Sequence, residues 1–224
     1  MRGIVTGASR GLGLALTRAL VDRGWRIVVD ARDGDALARA WPDAPQEVLI
    51  PGDIADAEHR QALAEAAGEP IDLIVNNASL LGPSPLPPLE SYPLDELRRV
   101  YEANVLAPLA LVQLALPRLA KGSRILNVVS DAAFEAYEGW GGYGSSKAAL
   151  AQISAVLAVE HPGLRVYAVD PGDMRTQMQQ DAFPGEDISD RLPPEESVPG
   201  FLALIEGDLP SGTYRARELV EVSA

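Results

Sequence analysis

Short runs of β-branched and aliphatic residues alternate along this chain with longer segments of helical periodicity. "GIVT" precedes "LGLALTRALVDRG", "RIVV" precedes "DGDALARAW", "EVLI" precedes "DAEHRQALAEAAG", and "IDLIV" follows. Runs that are apolar throughout belong to strands buried on both faces, and parallel strands need a crossover that a helix supplies. The rhythm therefore predicts a three-layer α/β/α fold with a parallel sheet, in one domain spanning residues 1–224. Residues 80–93, "LLGPSPLPPLESYP", hold too much proline to continue either element, which predicts an extended loop on the surface or over a cleft. Helical "LDELRRVYEANVLAPLALVQLALPRLA", strand "SRILNVV", helix "SSKAALAQISAVLAVE" and strand "LRVYAV" come next. Residues 173–198 show no regular period and predict a mobile loop, and "SGTYRARELVEV" is expected to supply a last strand.

Composition narrows the function classes. The formal charge of -13 would repel nucleic acid and anionic membranes, so neither is an expected partner. There is no cysteine, and His59 and His161 are the only histidines, which excludes thiolate and multi-histidine metal centres. "MRGIVTGAS" enters a strand without a signal-peptide core, and no uninterrupted apolar run of membrane-spanning length is present, so cytoplasm is the expected compartment. Helix 146–159 carries one charge, at Lys147, and the helical segment 103–120 is similarly apolar. Such helices need cover on their outer sides, which predicts a homodimer or homotetramer built through them.

"VTGASRGLGLAL" follows the first strand and opens the first helix, with glycines at 7, 11 and 13. Glycine permits a tight turn and close backbone approach, and the helix N-terminus offers free amides to a pyrophosphate, so the loop predicts a dinucleotide site. Gly7, Ser9 and Gly11 also fit a G-x-S-x-G nucleophile elbow. That reading fails because no earlier strand is available to build its oxyanion hole, and its histidine would have to be mid-helix His59 or His161 at a helix end.

In "GWGGYGSSKAAL", Tyr143 and Lys147 lie at i and i+4, on one helix face. A phenol titrates near ~10, and an adjacent cation favours its anion, so the pair predicts a proton donor and acceptor. Ser130, at the end of "ILNVVS", stands where its hydroxyl can hold a carbonyl oxygen while Tyr143 protonates it. Alone, the spacing also describes an ordinary surface pair; beside a dinucleotide loop it describes catalysis.

"TGASRGLG", "NNAS", Asn104 in "EANVLAP", Ser130, "YGSSK" and "PGDMRT" together resemble the short-chain dehydrogenases/reductases, in order and spacing, over nearly the whole chain. The resemblance implies a Rossmann-like, doubly wound sheet. It implies that Tyr143 is the acid/base, that Lys147 lowers its pKa and binds the nicotinamide ribose, that Ser130 orients the carbonyl, and that Asn104 holds a water linking Lys147 to solvent. It places Gly7, Ser9, Arg10, Leu12 and Gly13 on the cofactor phosphates and ribose, Asp53 and Ile54 at the adenine, Asn77 and Ala78 beside the adenosine ribose, and Pro171, Gly172 and Thr176 at the nicotinamide end. Ser79 departs from the glycine that usually ends "NNAG", and the C-terminal region is short.

The position where this family carries its NAD-selecting acid falls on Ala31, with Arg32 next, and Asp30 is one residue early, turned to the other face. Arg32 and Arg10 can clamp a 2'-phosphate, so NADP(H) is favoured over NAD(H). Leu80, Leu81, Phe134, Trp140 and residues 174–178, with Arg175 and Gln177 as polar contacts, suit a small carbonyl compound or secondary alcohol. A carbonyl reductase or alcohol dehydrogenase is the expectation; the alternatives are a catalytically silent nucleotide sensor or scaffold, and an NAD-dependent epimerase or dehydratase.

Overall fold

The computed structural model describes residues 1–42 and 48–221. Seven strands form one sheet: β1 (Arg2–Val5), β2 (Arg26–Ala31), β3 (Leu49–Pro51), β4 (Ile71–Asn76), β5 (Leu119–Val128), β6 (Arg165–Asp170) and β7 (Gly212–Arg215). Every pairing is parallel and the spatial order is β3-β2-β1-β4-β5-β6-β7, the doubly wound arrangement expected from the alternation. Glu47, the first residue of "EVLI", and Val222, near the end of the tail, lie outside the described residues. Only Gly212–Arg215 of that tail is strand; a short helix, Glu218–Glu221, follows it.

Strand alternation divides the core into two halves. On one face Val5, Val29, Leu73 and Val75 pack against Leu12, Leu16 and Leu20 of α1 (Gly11–Val21), Leu37 of α2 (Gly34–Ala40) and, from a late helix (Val198–Glu206), Phe201 and Leu204. On the other, Ile4, Val28, Ile74 and Ile125 meet Leu63 of α3 (Ala57–Ala67) and, from helices later in the chain, Leu111, Val112 and Leu157. Ile4 and Val5 are neighbours in sequence with opposite faces, as the two-residue period of a strand requires.

Three sequence expectations need correction. The helical segment 103–120 is not one helix: α4 (Leu94–Tyr101) passes through a π-turn, Glu102–Leu106, into α5 (Ala107–Ala115), and a 3-10 turn, Leu116–Arg118, follows. Leu119 is already strand, paired with Ile71, because Pro117 cannot give an amide hydrogen to a continuing helix. Leu94–Arg118 gives 25 consecutive helical residues, long and apolar enough to cross a membrane by length and composition only, but its charged residues leave no uninterrupted apolar run of that length, as expected. It opens with Asp95, Glu96, Arg98 and Arg99, and its apolar half packs on the sheet.

Residues 173–198 are not a mobile loop. They contain α7 (Gln177–Ala182), whose start is capped by the Thr176 hydroxyl, an isolated bridge between Met174 and Leu192, and a 3-10 turn, Pro194–Ser197. Arg191 pairs with Asp173 at 3.6 Å across the segment. Side-chain caps, ion pairs and the packing of Met178, Ala182 and Phe183 around Leu81 and Trp140 hold it without a regular apolar stripe, which is why it shows no period. Finally, α6 (Gly141–Glu160) begins before Tyr143, so the phenol is helical, and the chain does not cover the outer side of that helix: Val156 is 43% exposed and Val159 81%. α8 (Val198–Glu206) and α9 (Glu218–Glu221) close the chain.

Candidate active site

β1 and β4 are adjacent, and the crossovers leaving their C-terminal ends run to opposite sides of the sheet. A crevice opens there, at the carboxyl ends of the strands. Thr6 ties its floor together, since its hydroxyl oxygen accepts from the backbone amides of Asn77 at 3.0 Å and Ala78 at 2.9 Å. Asn77 returns the contact through Nδ2, which donates to the carbonyls of Thr6 and Gly7 at 2.8 and 3.1 Å.

The glycines above this floor are required by geometry. Gly7 and Gly11 have φ of 71° and 57°, in the left-handed region, and a Cβ at Gly13 would collide with the Gly7 carbonyl oxygen. Helices α2 and α3 are capped by the carboxylates of Asp33 and Asp56, but α1 has no side-chain cap at Arg10. Its first amides are left for an anion, which fits a pyrophosphate. Leu12 is buried beneath the loop, while Ser9 is half-buried and Arg10 exposed at its rim.

Asp30 does not reach the ribose side. It is 2% exposed; Oδ1 accepts from Gly7 N at 2.6 Å and Oδ2 meets His59 Nε2 at 3.0 Å. Ala31 and then exposed Arg32 stand at the outer end of β2. Asp53 is exposed and bonded to the amide of Ala55 at 2.9 Å, whereas Ile54 is buried. Of these groups, Thr6 and the buried Asp30–His59 pair were missed in the sequence. A polar residue at an apolar strand end and a histidine on the inner face of a helix were their only signals.

At the far side of the crevice, a cleft is lined by Ser130 and Tyr143, together with Trp140, Pro171, Gly172 and Thr176 among others. Tyr143 is 8% exposed and Lys147 1%. Lys147 Nζ donates to the Val128 carbonyl at 2.7 Å and sits 5.5 Å from the centre of the Tyr143 ring.

The electrostatics differ from the sequence expectation. Burial pushes the Tyr143 phenol up, the Ser79 hydroxyl opposes that, and Asp170 and Asp131 add to it. Burial also lowers Lys147 to about 7, so in the free protein its charge is too weakly held to bring the phenol down.

Asn104 is enclosed by protein. It is fully buried in the π-turn; Oδ1 accepts from Leu80 N at 2.8 Å and Ser79 Oγ at 3.1 Å, and Nδ2 donates to Leu80 O at 2.9 Å and Ser146 Oγ at 3.0 Å. An amide side chain has two donors and two acceptor sites, so these bonds occupy the Asn104 side chain and leave only its backbone to meet a water. Its side chain locks the "NNAS" turn to the helix bearing Tyr143. Ser130 donates to Asp131 Oδ1 at 2.8 Å, and its oxygen accepts from Ala132 N at 3.3 Å.

The model of the family described as short chain dehydrogenase matches residues 3–187. This chain belongs to that family. Among the relatives of this short-chain dehydrogenase, the rhamnolipids biosynthesis 3-oxoacyl-(acyl-carrier-protein) reductase of Pseudomonas aeruginosa is 35% identical over 193 residues, 78% of this chain and 73% of its own. L-fucose dehydrogenase of Mus musculus is 30% identical over 185 residues, 80% of this chain and 67% of its own. A short chain dehydrogenase of Shigella flexneri, solved in complex with NADP, superposes with a TM-score of 0.86 at 28% identity, covering 96% of each chain. The short-chain dehydrogenase described here is therefore an oxidoreductase of a family whose members act on alcohol and carbonyl groups.

Proposed function

We propose that this short-chain dehydrogenase is an NADP(H)-dependent carbonyl reductase or alcohol dehydrogenase, acting as a single domain in the cytoplasm on a small carbonyl compound or secondary alcohol. The observation that carries this reading is the one cleft onto which Ser130 and Tyr143 both open, with Lys147 buried behind the phenol. When bound, the nicotinamide supplies a hydride to the carbonyl carbon and is left oxidised. Tyr143 gives the carbonyl oxygen its proton in reduction and takes it back in oxidation. Ser130 turns its hydroxyl from Asp131 to that oxygen and holds it. Lys147 donates to the ribose hydroxyls, and its charge, restored there, favours the phenolate. Asn104 acts by position, fixing the turn at Ser79 against the catalytic helix.

Gly7, Ser9, Arg10, Leu12 and Gly13 would hold the phosphates and ribose. Asp53 and Ile54 would meet the adenine, Asn77 and Ala78 the adenosine ribose, and Pro171, Gly172 and Thr176 the nicotinamide. The preference for NADP(H) is supported by the burial of Asp30, the neutral Ala31, and the exposed Arg10 and Arg32. It is supported also by related structures solved with NADP and NADPH.

A fluorescence titration of the purified protein with each cofactor tests the preference. NADPH is expected to bind about 10-fold or more tighter than NADH, and Arg32→Ala to remove most of the difference by weakening NADPH alone. Tighter NADH binding would reverse the assignment.

We also place the self-association surface on the π-turn leading into α5 and the outer side of α6, where Leu106 is 52% exposed, Val156 43% and Val159 81%. Sedimentation should give a dimer or tetramer, and Val156→Arg should shift it toward monomer. A monomeric wild type at tens of micromolar would refute this surface.

A further inference from the structure

We propose that the cleft selects a carbonyl compound, or the corresponding alcohol, that carries a cationic nitrogen such as a substituted ammonium; this rests on the reductase reading and names its substrate class. The argument starts from the ionisable side chains of the lining. Asp131, Asp170 and Asp173 all line the cleft, Asp173 paired with Arg191 at 3.6 Å, and among the described residues that line it none is Lys or Arg.

Asp170, at the end of β6, is the most telling of the three. It is 6% exposed, and Oδ1 accepts from Gly172 N at 2.8 Å. Among the described residues Oδ2 has no hydrogen-bond donor; the Arg215 guanidinium stands 4.0 Å away, 57% exposed and divided between Glu135 and Glu218, each at 3.5 Å. A nine-tenths-buried carboxylate with one open oxygen is poorly compensated, and a positive group in the cleft would complete it. Asp131 is held as an acceptor by Ser130, by Ala132 N and by the Tyr137 hydroxyl, the last at 3.0 Å.

The same lining holds Trp140 and Tyr143. Trp140 packs edge-on to Tyr143 with ring centres 5.8 Å apart and tilts against Phe183 at 5.9 Å, with Leu81 and Met178 beside it. Aromatic faces attract alkylated ammonium groups, which are weakly hydrated and lose little on entering such a pocket. Carboxylates and a tryptophan in one lining form a recognition surface for a cation and a poor one for an anion. Asp170 and Asp131 act at the reacting position as well, since both oppose loss of the Tyr143 proton.

The test uses three methyl ketones of one length, ending in trimethylammonium, in its neutral tert-butyl isostere and in carboxylate, each reduced with NADPH by the full-length enzyme. The expected order of kcat/KM is cation, neutral, anion, with the cation about 10-fold or more above its isostere, a gap of about 1.4 kcal/mol that narrows with added salt. Asp170→Asn is expected to compress the cation-to-neutral ratio toward one. The readout is the ratio within each enzyme, so a general loss of rate does not mimic it. Equal wild-type rates for the cation and its isostere, or a ratio unchanged in both Asp170→Asn and Asp131→Asn, would overturn the proposal. If no ketone turns over, calorimetric binding of the three compounds decides separately. Selective binding of the cation would keep the charge assignment and remove the reductase reading; equal or absent binding would remove the charge assignment too.

Discussion

Tyr143→Phe is expected to lower turnover by about 10²–10⁴-fold, the range that a positioned general acid contributes, while leaving NADPH binding within a few-fold of wild type. The substitution removes one hydroxyl and keeps the ring that packs edge-on against Trp140 at 5.8 Å, so the pocket wall survives. Steady-state rates with any accepted ketone, beside a cofactor titration, check it; a variant with normal rate would end the assignment of Tyr143 as acid. The direction of pH dependence follows from the same site. Burial and the two carboxylates keep the phenol protonated through the neutral range, so the reducing direction should be supported there and fail as pH rises past the phenol's value. Oxidation of an alcohol needs the phenolate and should accelerate with rising pH.

Lys147→Met is expected to do two opposite things: to abolish most turnover and to stabilise the cofactor-free protein. Lys147 is 1% exposed, and its amine is lowered by burial from 10.5 to about 7. Above the folded value and below the unfolded one, the unfolded chain binds the extra proton, so stability rises with pH across that window. The penalty is complete below pH ~7, where it is of order 4 kcal/mol, and it vanishes above pH ~10.5. Removing the amine relieves that penalty but leaves the Val128 carbonyl, its partner at 2.7 Å, without a donor, which costs about 1–3 kcal/mol. The balance, roughly 2 kcal/mol, corresponds to a Tm increase of about 4–8 °C in a chain of this size near pH 6. Thermal melts of both proteins at pH 6 and near pH 10 check the sign. A gap that does not shrink with pH, or a less stable variant at pH 6, would show that burial does not penalise the charge of the lysine. Strain of this kind belongs to sites that use a ligand to complete them, and in the function proposed above the cofactor hydroxyls would restore the partners that a cationic Lys147 lacks.

The two carboxylates near the phenol give the site a character that its family membership does not supply. Ser79, standing where a glycine is usual, has a visible role: its hydroxyl bonds Asn104 at 3.1 Å and favours the Tyr143 phenolate, partly offsetting Asp131 and Asp170. A substrate cation would offset them further.

What could be read from the sequence was whatever a local period or a short motif encodes. The apolar runs "RIVV" and "IDLIV" specified buried parallel strands because each side chain there meets a helix on one face or the other, as Val28 and Val29 do. The glycine loop was legible because Gly7 and Gly11 need a backbone that other residues resist, and Tyr143 with Lys147 because one helical turn alone brings them together. Tertiary structure decided everything that depends on what surrounds a residue. It placed Asp30 on Gly7 and His59, filled every bond of the Asn104 side chain, ordered residues 173–198 through caps and ion pairs, and set the carboxylates of Asp131 and Asp170, 39 positions apart, around one phenol. It also reversed the expected balance at Tyr143 and Lys147. Their spacing fixes proximity, but the charge each carries is set by how much water the fold removes, and that sum runs over residues distant in the chain.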